Sequence, residues 1–164
     1  MTRLGEITPC YTMRFERESK HPAARLWRAI TDPAEVTQWM GMPSARIDLR
    51  VGGDYHVDFN PREAGMLDGV IVRVEEERTL AYVWGVSVLE WTITPLGEGC
   101  RFTFVHHGQP PGMVDEEAGI AAGWHEWLDD LGAHLDGGSH EHTRAREEEL
   151  KRFYAGRISQ NLNP

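Results

Sequence analysis

The sequence predicts an α+β fold in which a curved antiparallel sheet is covered by one long helix near the end of the chain. Three observations lead there. Residues 112–137 (GMVDEEAGIAAGWHEWLDDLGAHLDG) carry apolar side chains at helical spacing between two glycine-rich stops. From Ala45 the hydrophobic period changes to two and stays there through six short segments joined by tight turns. Ahead of that run, a single strand-like segment is followed by two short helical ones. A sheet with so many strands twists and curls. Its concave face needs a cover, and the long helix is the element suited to it.

Residues 1–9 read as a short leader or a frayed edge. Residues 11–18 (YTMRFERE) alternate, with Tyr11, Met13 and Phe15 on one face, as a strand does. Residues 23–30 (AARLWRAI) form a short helix with Pro22 at its start and Leu26, Trp27 and Ile30 on its apolar face. Asp32 N-caps a second helix over 34–40, whose apolar positions are Val36, Trp39 and Met40. Together the two make a V-shaped clamp. Residues 45–51 are a strand, ended by the turn or bulge signal Gly52-Gly53. Residues 54–60 (DYHVDFN) place Tyr55, Val57 and Phe59 on one face. After a turn over 60–65, residues 66–76, 79–85, 87–95 and 100–107 give four more strands in an antiparallel meander.

In the long helix, Met113, Ile120, Trp124, Trp127, Leu128, Leu131 and Leu135 make one broad stripe. Asp115 and Glu116 suit the positive end of the helix dipole. His125, Glu126, Asp129 and Asp130 fall away from the stripe, and the segment contains no Lys or Arg. Residues 1–138 are one domain, and 139–164 are an extension. Within it, residues 140–158 mix charges with Leu150, Phe153, Tyr154 and Ile158 at helical spacing. This further helix either docks on the domain or joins a second copy as a homodimer. Residues 160–164 are expected to be disordered.

Composition narrows the partners. A net charge of -9 argues against nucleic acid, which demands clustered Lys and Arg. The chain has neither a run of membrane-spanning length nor a signal-peptide pattern, so a soluble cytoplasmic protein is expected. Cys10 and Cys100 show neither metal nor redox spacing and read as free thiols. The eight histidines lack the spacing of a zinc or two-histidine–carboxylate site, so no metal is expected. A glycine-rich phosphate loop is absent, and no cofactor is expected.

Four motifs occur in order: LWRAITDP (26–33) followed by Trp39; DLRVGG (48–53); RTL (78–80) leading to Trp84; and Gly123-Trp124 with WLDDL (127–131). In this order the chain resembles the SRPBCC (START-like) superfamily over about residues 10–137. Within it the chain is most similar to the branch named after activators of the ninety-kilodalton heat-shock chaperone's ATPase. The resemblance implies a helix-grip fold: a curved antiparallel sheet wrapped around a long C-terminal helix, with two short helices between the first and second strands. It also implies an interior cavity that in many members holds an apolar small molecule. Members include lipid carriers, hormone receptors, polyketide cyclases and aromatases, and proteins without known activity. The family's sheet order makes the first and last strands antiparallel neighbours. That sets Cys10 near His106 and Cys100 at the far end, so a disulfide between them is not expected. The tail after Gly138 departs from the family pattern.

Alternation then names an inward face. Candidate ligand-binding residues are Trp39 from the clamp, Tyr55, Phe59, Trp84, Trp91, Phe102, Phe104 and His106 from the strands, and Trp124 and Trp127 from the long helix. They are either the wall of a pocket for a small hydrophobic molecule or a filled core. His106, if it points inward with Phe102 and Phe104, is a candidate general base or a ligand-orienting group. Glu117, near the stripe, is a candidate partner for it or a solvated first-turn carboxylate. Arg17 is a candidate buried cation for a ligand anion, and Arg50 is either that or a bulge holder paired with a nearby acid. Three functions follow. The first is binding of a small hydrophobic or aromatic ligand without catalysis. The second is a cyclase, dehydratase or hydrolase using His106 with Glu117 or Arg17. The third, suggested by the branch name, is a chaperone-regulating interaction.

Overall fold

A computed structural model describes residues 6–8, 12–58, 67–108 and 114–162. The elements are β1 (Glu6–Thr8), β2 (Thr12–Ser19), α1 (Ala23–Thr31), α2 (Pro33–Met40), β3 (Ser44–Ile47), β4 (Asp54–Asp58), β5 (Leu67–Glu75), β6 (Thr79–Trp84), β7 (Ser87–Leu96), β8 (Gly99–His107), α3 (Val114–Leu135) and α4 (Arg144–Leu162). The strands form one antiparallel sheet in the order β1-β2-β8-β7-β6-β5-β4-β3. The meander and the pairing of first and last long strands are as expected, with Met13 opposite His106 and Ser19 opposite Cys100. Cys100 is a buried free thiol, while Cys10, Tyr11 and the loop before α3 lie outside the described residues.

Three expectations need correction. Part of the segment expected as a leader or a frayed edge is an edge strand: Glu6–Thr8 pairs back onto β2, a run too short for alternation to declare itself. The strand expected over 45–51 stops at Ile47, because Asp48 and Arg50 already belong to the turn, where the Arg50 amide donates to Asp48 O at 2.7 Å. The chain end is not disordered from residue 160, because α4 runs on to Leu162.

The clamp shows how local chemistry sets the fold. The Asp32 carboxylate accepts from the Ala34 amide at 2.9 Å, Pro33 opens α2, and Gly41 closes it at φ +66°. The last carbonyls of α1 have no partner within the helix. Two side chains supply one each: the Trp39 indole donates to Ala29 O, and the Tyr55 hydroxyl donates to Ile30 O, both at 2.9 Å. Those bonds tie α1 to α2 and to β4. Glu35 adds a third tie, receiving Arg25, Arg28 at 2.8 Å and His134 of α3 at 3.0 Å. Burial raises the Glu35 pKa, but the bonds from His134 and Arg25 and the charges of Arg25 and Arg28 outweigh it and hold the carboxyl below its ordinary range.

In the turn between β3 and β4, Gly53 is required by space. A Cβ there would sit 2.1 Å from Asp48 O. The bulge is held by reciprocal bonds to β5, Gly52 to Ile71 O and Ile71 to Gly53 O. Arg50 pairs with Asp48 at 2.8 Å on the exposed surface, so it takes the bulge-side role. The core lies between the concave face of the sheet and α3, with α1 and α2 closing one side.

α4 lies on the other side of α3. Leu150, Tyr154 and Ile158 are buried in the same core, and α4 also reaches β1. The stripe expected for 140–158 therefore docks within the chain.

Candidate functional site

Alternation correctly names most inward positions. Trp39, Tyr55, Trp84, Trp91, Phe102, Phe104, His106 and Trp124 are all buried, and Trp127 is partly buried beside Trp124. Phe59 lies outside the described residues. The aromatic rings pack mainly on one another. Tyr55 stacks on Tyr82 at 3.8 Å, Trp124 meets Phe104 at 4.2 Å, and Phe104 meets Trp91 at 4.7 Å. Trp91 is the exception to good polar pairing, since its buried indole N–H has no hydrogen-bond partner. The Tyr82 hydroxyl comes near without reaching bonding geometry.

His106 is 5% exposed and points inward as alternation requires. Its Nδ1 accepts from the Trp124 indole at 3.0 Å. Indole is a donor only, so Nδ1 carries no proton and the neutral ring holds its hydrogen on Nε2. Burial, and to a lesser degree His107, lowers the His106 pKa to about 4. The ring is therefore neutral at neutral pH. Glu117 is not the solvated first-turn carboxylate considered above: it is 3% exposed, because its stretch of α3 faces the core.

Arg17 is not in the same place. It lies opposite Phe102 in the β2–β8 ladder, whereas His106 lies opposite Met13, four residues away. At roughly 3.3 Å per residue that is about 13 Å along the sheet. α3 runs antiparallel to β8, so Trp124 sits near His106 while Leu128 sits near Phe102.

Around Arg17 a partly open cavity of about 730 Å³ lies between the end of β2, Phe102 of β8, the second half of α3, and the α3–α4 connection. Its walls are mainly polar and charged, with Phe102, Leu128 and Leu135 giving the apolar part and Gly132 on the helix side. Its charged groups are mostly paired. Lys20 meets Asp136 at 3.1 Å, Arg146 meets Asp129 at 2.6 Å, and Glu18 is held by Arg101 at 2.6 Å. Arg17 differs. It is 8% exposed, and its Nη1 donates to Glu16 O at 3.2 Å, but buried Nε and Nη2 have no partner. Burial lowers its pKa from the ordinary value, while Asp129 and the Tyr154 phenol oppose that.

The opposite face of α3 corrects another expectation. His125 does point away from the stripe, but it is 1% exposed because α4 covers it. Its Nδ1 lies 2.8 Å from the Tyr154 hydroxyl and its Nε2 3.6 Å from Asp129. Burial is the largest influence and lowers its pKa; Asp129 opposes, and Arg17 and Arg146 add to the lowering. The acidic residues beside it anchor the connection: His140 and Arg146 bind Glu126 at 2.9 and 2.7 Å, and His142 binds Asp130 at 2.9 Å. Among the described residues, no group of three or more His, Cys, Asp or Glu is placed to hold a metal ion. No described helix is long and apolar enough to cross a membrane.

Phe102 and Trp124 were legible as inward by alternation and helical spacing, and Arg17 as a candidate buried cation. The cavity's other walls, Gly132, Asp129 and His140, were not. A signal existed: a helix face with three acids and no base needs cations from elsewhere, and the tail carries Arg146, His140 and His142.

Known proteins agree with this architecture. Residues 20–136 match the family described as Activator of Hsp90 ATPase homolog 1-like protein. A conserved protein of unknown function from Enterococcus faecalis, EF2215, superposes with a TM-score of 0.80 at 15% identity, over 96% of this chain and 90% of its own. CalU16 from Micromonospora echinospora gives 0.73 at 22% identity, over 94% of both chains. MLL2253 from Mesorhizobium loti gives 0.69 at 27% identity, over 79% of this chain and 99% of its own. No curated protein matches the chain. With a helix-grip fold and a family match spanning clamp, meander and long helix, the chain belongs to the Activator of Hsp90 ATPase homolog 1-like family of SRPBCC proteins.

Proposed function

We propose that this protein binds a small, largely apolar molecule between the sheet and α3, acting as a binding protein rather than an enzyme. The observation that carries this reading is the cavity of about 730 Å³ beside α3. That volume is in the range of small-molecule sites, ~300–1,000 Å³. Phe102 is where the cavity meets the aromatic interior. The separation of Arg17 from His106 along β2–β8 weighs against an acid–base set built on both.

Native mass spectrometry of the purified protein, compared with its denatured mass, tests the proposal. A Cβ on Gly132 meets no atom within 4 Å, so Gly132→Phe can fill the cavity without a backbone clash. The expected result is a small-molecule adduct on the wild type, lost on denaturation and absent from Gly132→Phe. A bare chain mass in the wild type, or an adduct that persists in a folded Gly132→Phe, would contradict it.

A further inference from the structure

We infer that the cavity beside α3 takes an organic monocarboxylate, whose anion pairs with the Nε–Nη2 edge of Arg17 while its apolar body lies on Phe102 and Leu128. This rests on the binding reading above and adds the chemical class.

Around the cavity the charges pair off unevenly. Its lining carboxylates are Glu18, Asp129 and Asp136, and each already has a cation: Arg101, Arg146 and Lys20 respectively. His21 adds a second contact to Asp136 at 2.7 Å. Arg17 is the lining cation left with a backbone carbonyl and no carboxylate. A guanidinium keeps its charge in any folded protein, and a buried charge is costly unless paired and hydrogen-bonded. The Nε–Nη2 edge presents two parallel N–H donors, the geometry that matches a carboxylate in bidentate fashion. Arg17 lines the cavity while both nitrogens are buried, so carboxylate binding requires this edge of the guanidinium to turn toward the cavity. Phe15, whose ring lies 5.9 Å from the Arg17 guanidinium carbon, backs it from the core side.

The surroundings also decide the anion's charge. With Glu18, Asp129 and Asp136 matched to Arg101, Arg146 and Lys20, Arg17 leaves one positive charge at the cavity, in a chain whose net charge is -9. A dianion such as an alkyl phosphate meets more repulsion there than a monoanion does. A carboxylate with a hydrocarbon body satisfies one unpaired guanidinium and one apolar floor, and brings no surplus charge.

Isothermal titration at neutral pH tests this with octanoate, octanamide and octyl phosphate, which share a chain and differ in the head. Wild type is expected to bind octanoate about tenfold or more tightly than octanamide, and more tightly than octyl phosphate. Arg17→Met, which keeps the apolar length, should lose the acid-over-amide preference; Arg17→Lys should retain part of it. Near-UV circular dichroism checks that both variants keep wild-type packing. If Arg17→Met fails that check, the wild-type acid-to-amide ratio and Arg17→Lys decide. Equal binding of acid and amide, a preference that survives in Arg17→Met, or tighter binding of octyl phosphate would overturn the monocarboxylate assignment and leave the binding reading standing. No binding of any probe would overturn both.

Discussion

At the scale of single residues, the buried histidines His106 and His125 have the clearest consequence. Folded His106 takes up a proton near pH 4, while an unfolded histidine does so near 6.5. The unfolded state therefore binds more protons between those values, and stability falls as pH falls. The contribution is fully present above about pH 6.5 and is lost by about pH 4. The difference of about 2.5 units, at about 1.36 kcal/mol per unit, makes it about 3 kcal/mol. His125, lowered for the same first reason, adds a slope of the same sign. Urea unfolding across that pH window should show stability draining away on acidification. His106→Gln should flatten the slope, because the amide oxygen still accepts from Trp124 but does not titrate. An unchanged slope in that variant would mean His106 is not held neutral by its burial.

The element that most changes the picture is α4. Helical spacing along α3 assigned its two faces correctly, yet one of them was expected in water. The reason for the difference is that period identifies a face and says nothing about what covers it. α3 is an apolar stripe on one side and His125, Glu126 and Asp129 on the other, and α4 with its preceding connection supplies Tyr154, Arg146 and His140 to the second side. α4 itself has a weak stripe, so its docking rests on a few side chains: Leu150, Tyr154 and Ile158. Ile158 is 2% exposed, and Ile158→Ala should cost about 2–4 kcal/mol in urea unfolding, independent of protein concentration. A cost below about 0.5 kcal/mol would place α4 outside the cooperative unit.

At the scale of the whole molecule, the fold was legible because its signals are periodic. The meander showed as alternation, the clamp as an N-cap and two short stripes, and the cover helix as one long stripe between glycines. The site was legible only in part. The sequence marked Arg17 as a candidate buried cation for a ligand anion. It could not show that His106 stands about 13 Å along the sheet from Arg17, since both share a face and only register separates them. Nor could it show the cavity. That feature arises where the end of β2, the second half of α3 and the tail connection meet, three segments far apart in sequence. The visible hints were Arg17, in step with Met13 and Phe15, and the acidic face of α3 followed by a tail carrying His140, His142 and Arg146.

The central claim is that the ligand site lies at the Arg17 end of the long helix. Amide NMR of the labelled protein during octanoate titration tests it most directly. Saturable shifts should centre on Ser19, Phe102, Gly132 and Ala133, which line that cavity. Shifts centred instead on Trp84, His106 and Trp124, at the other end of α3, would contradict it.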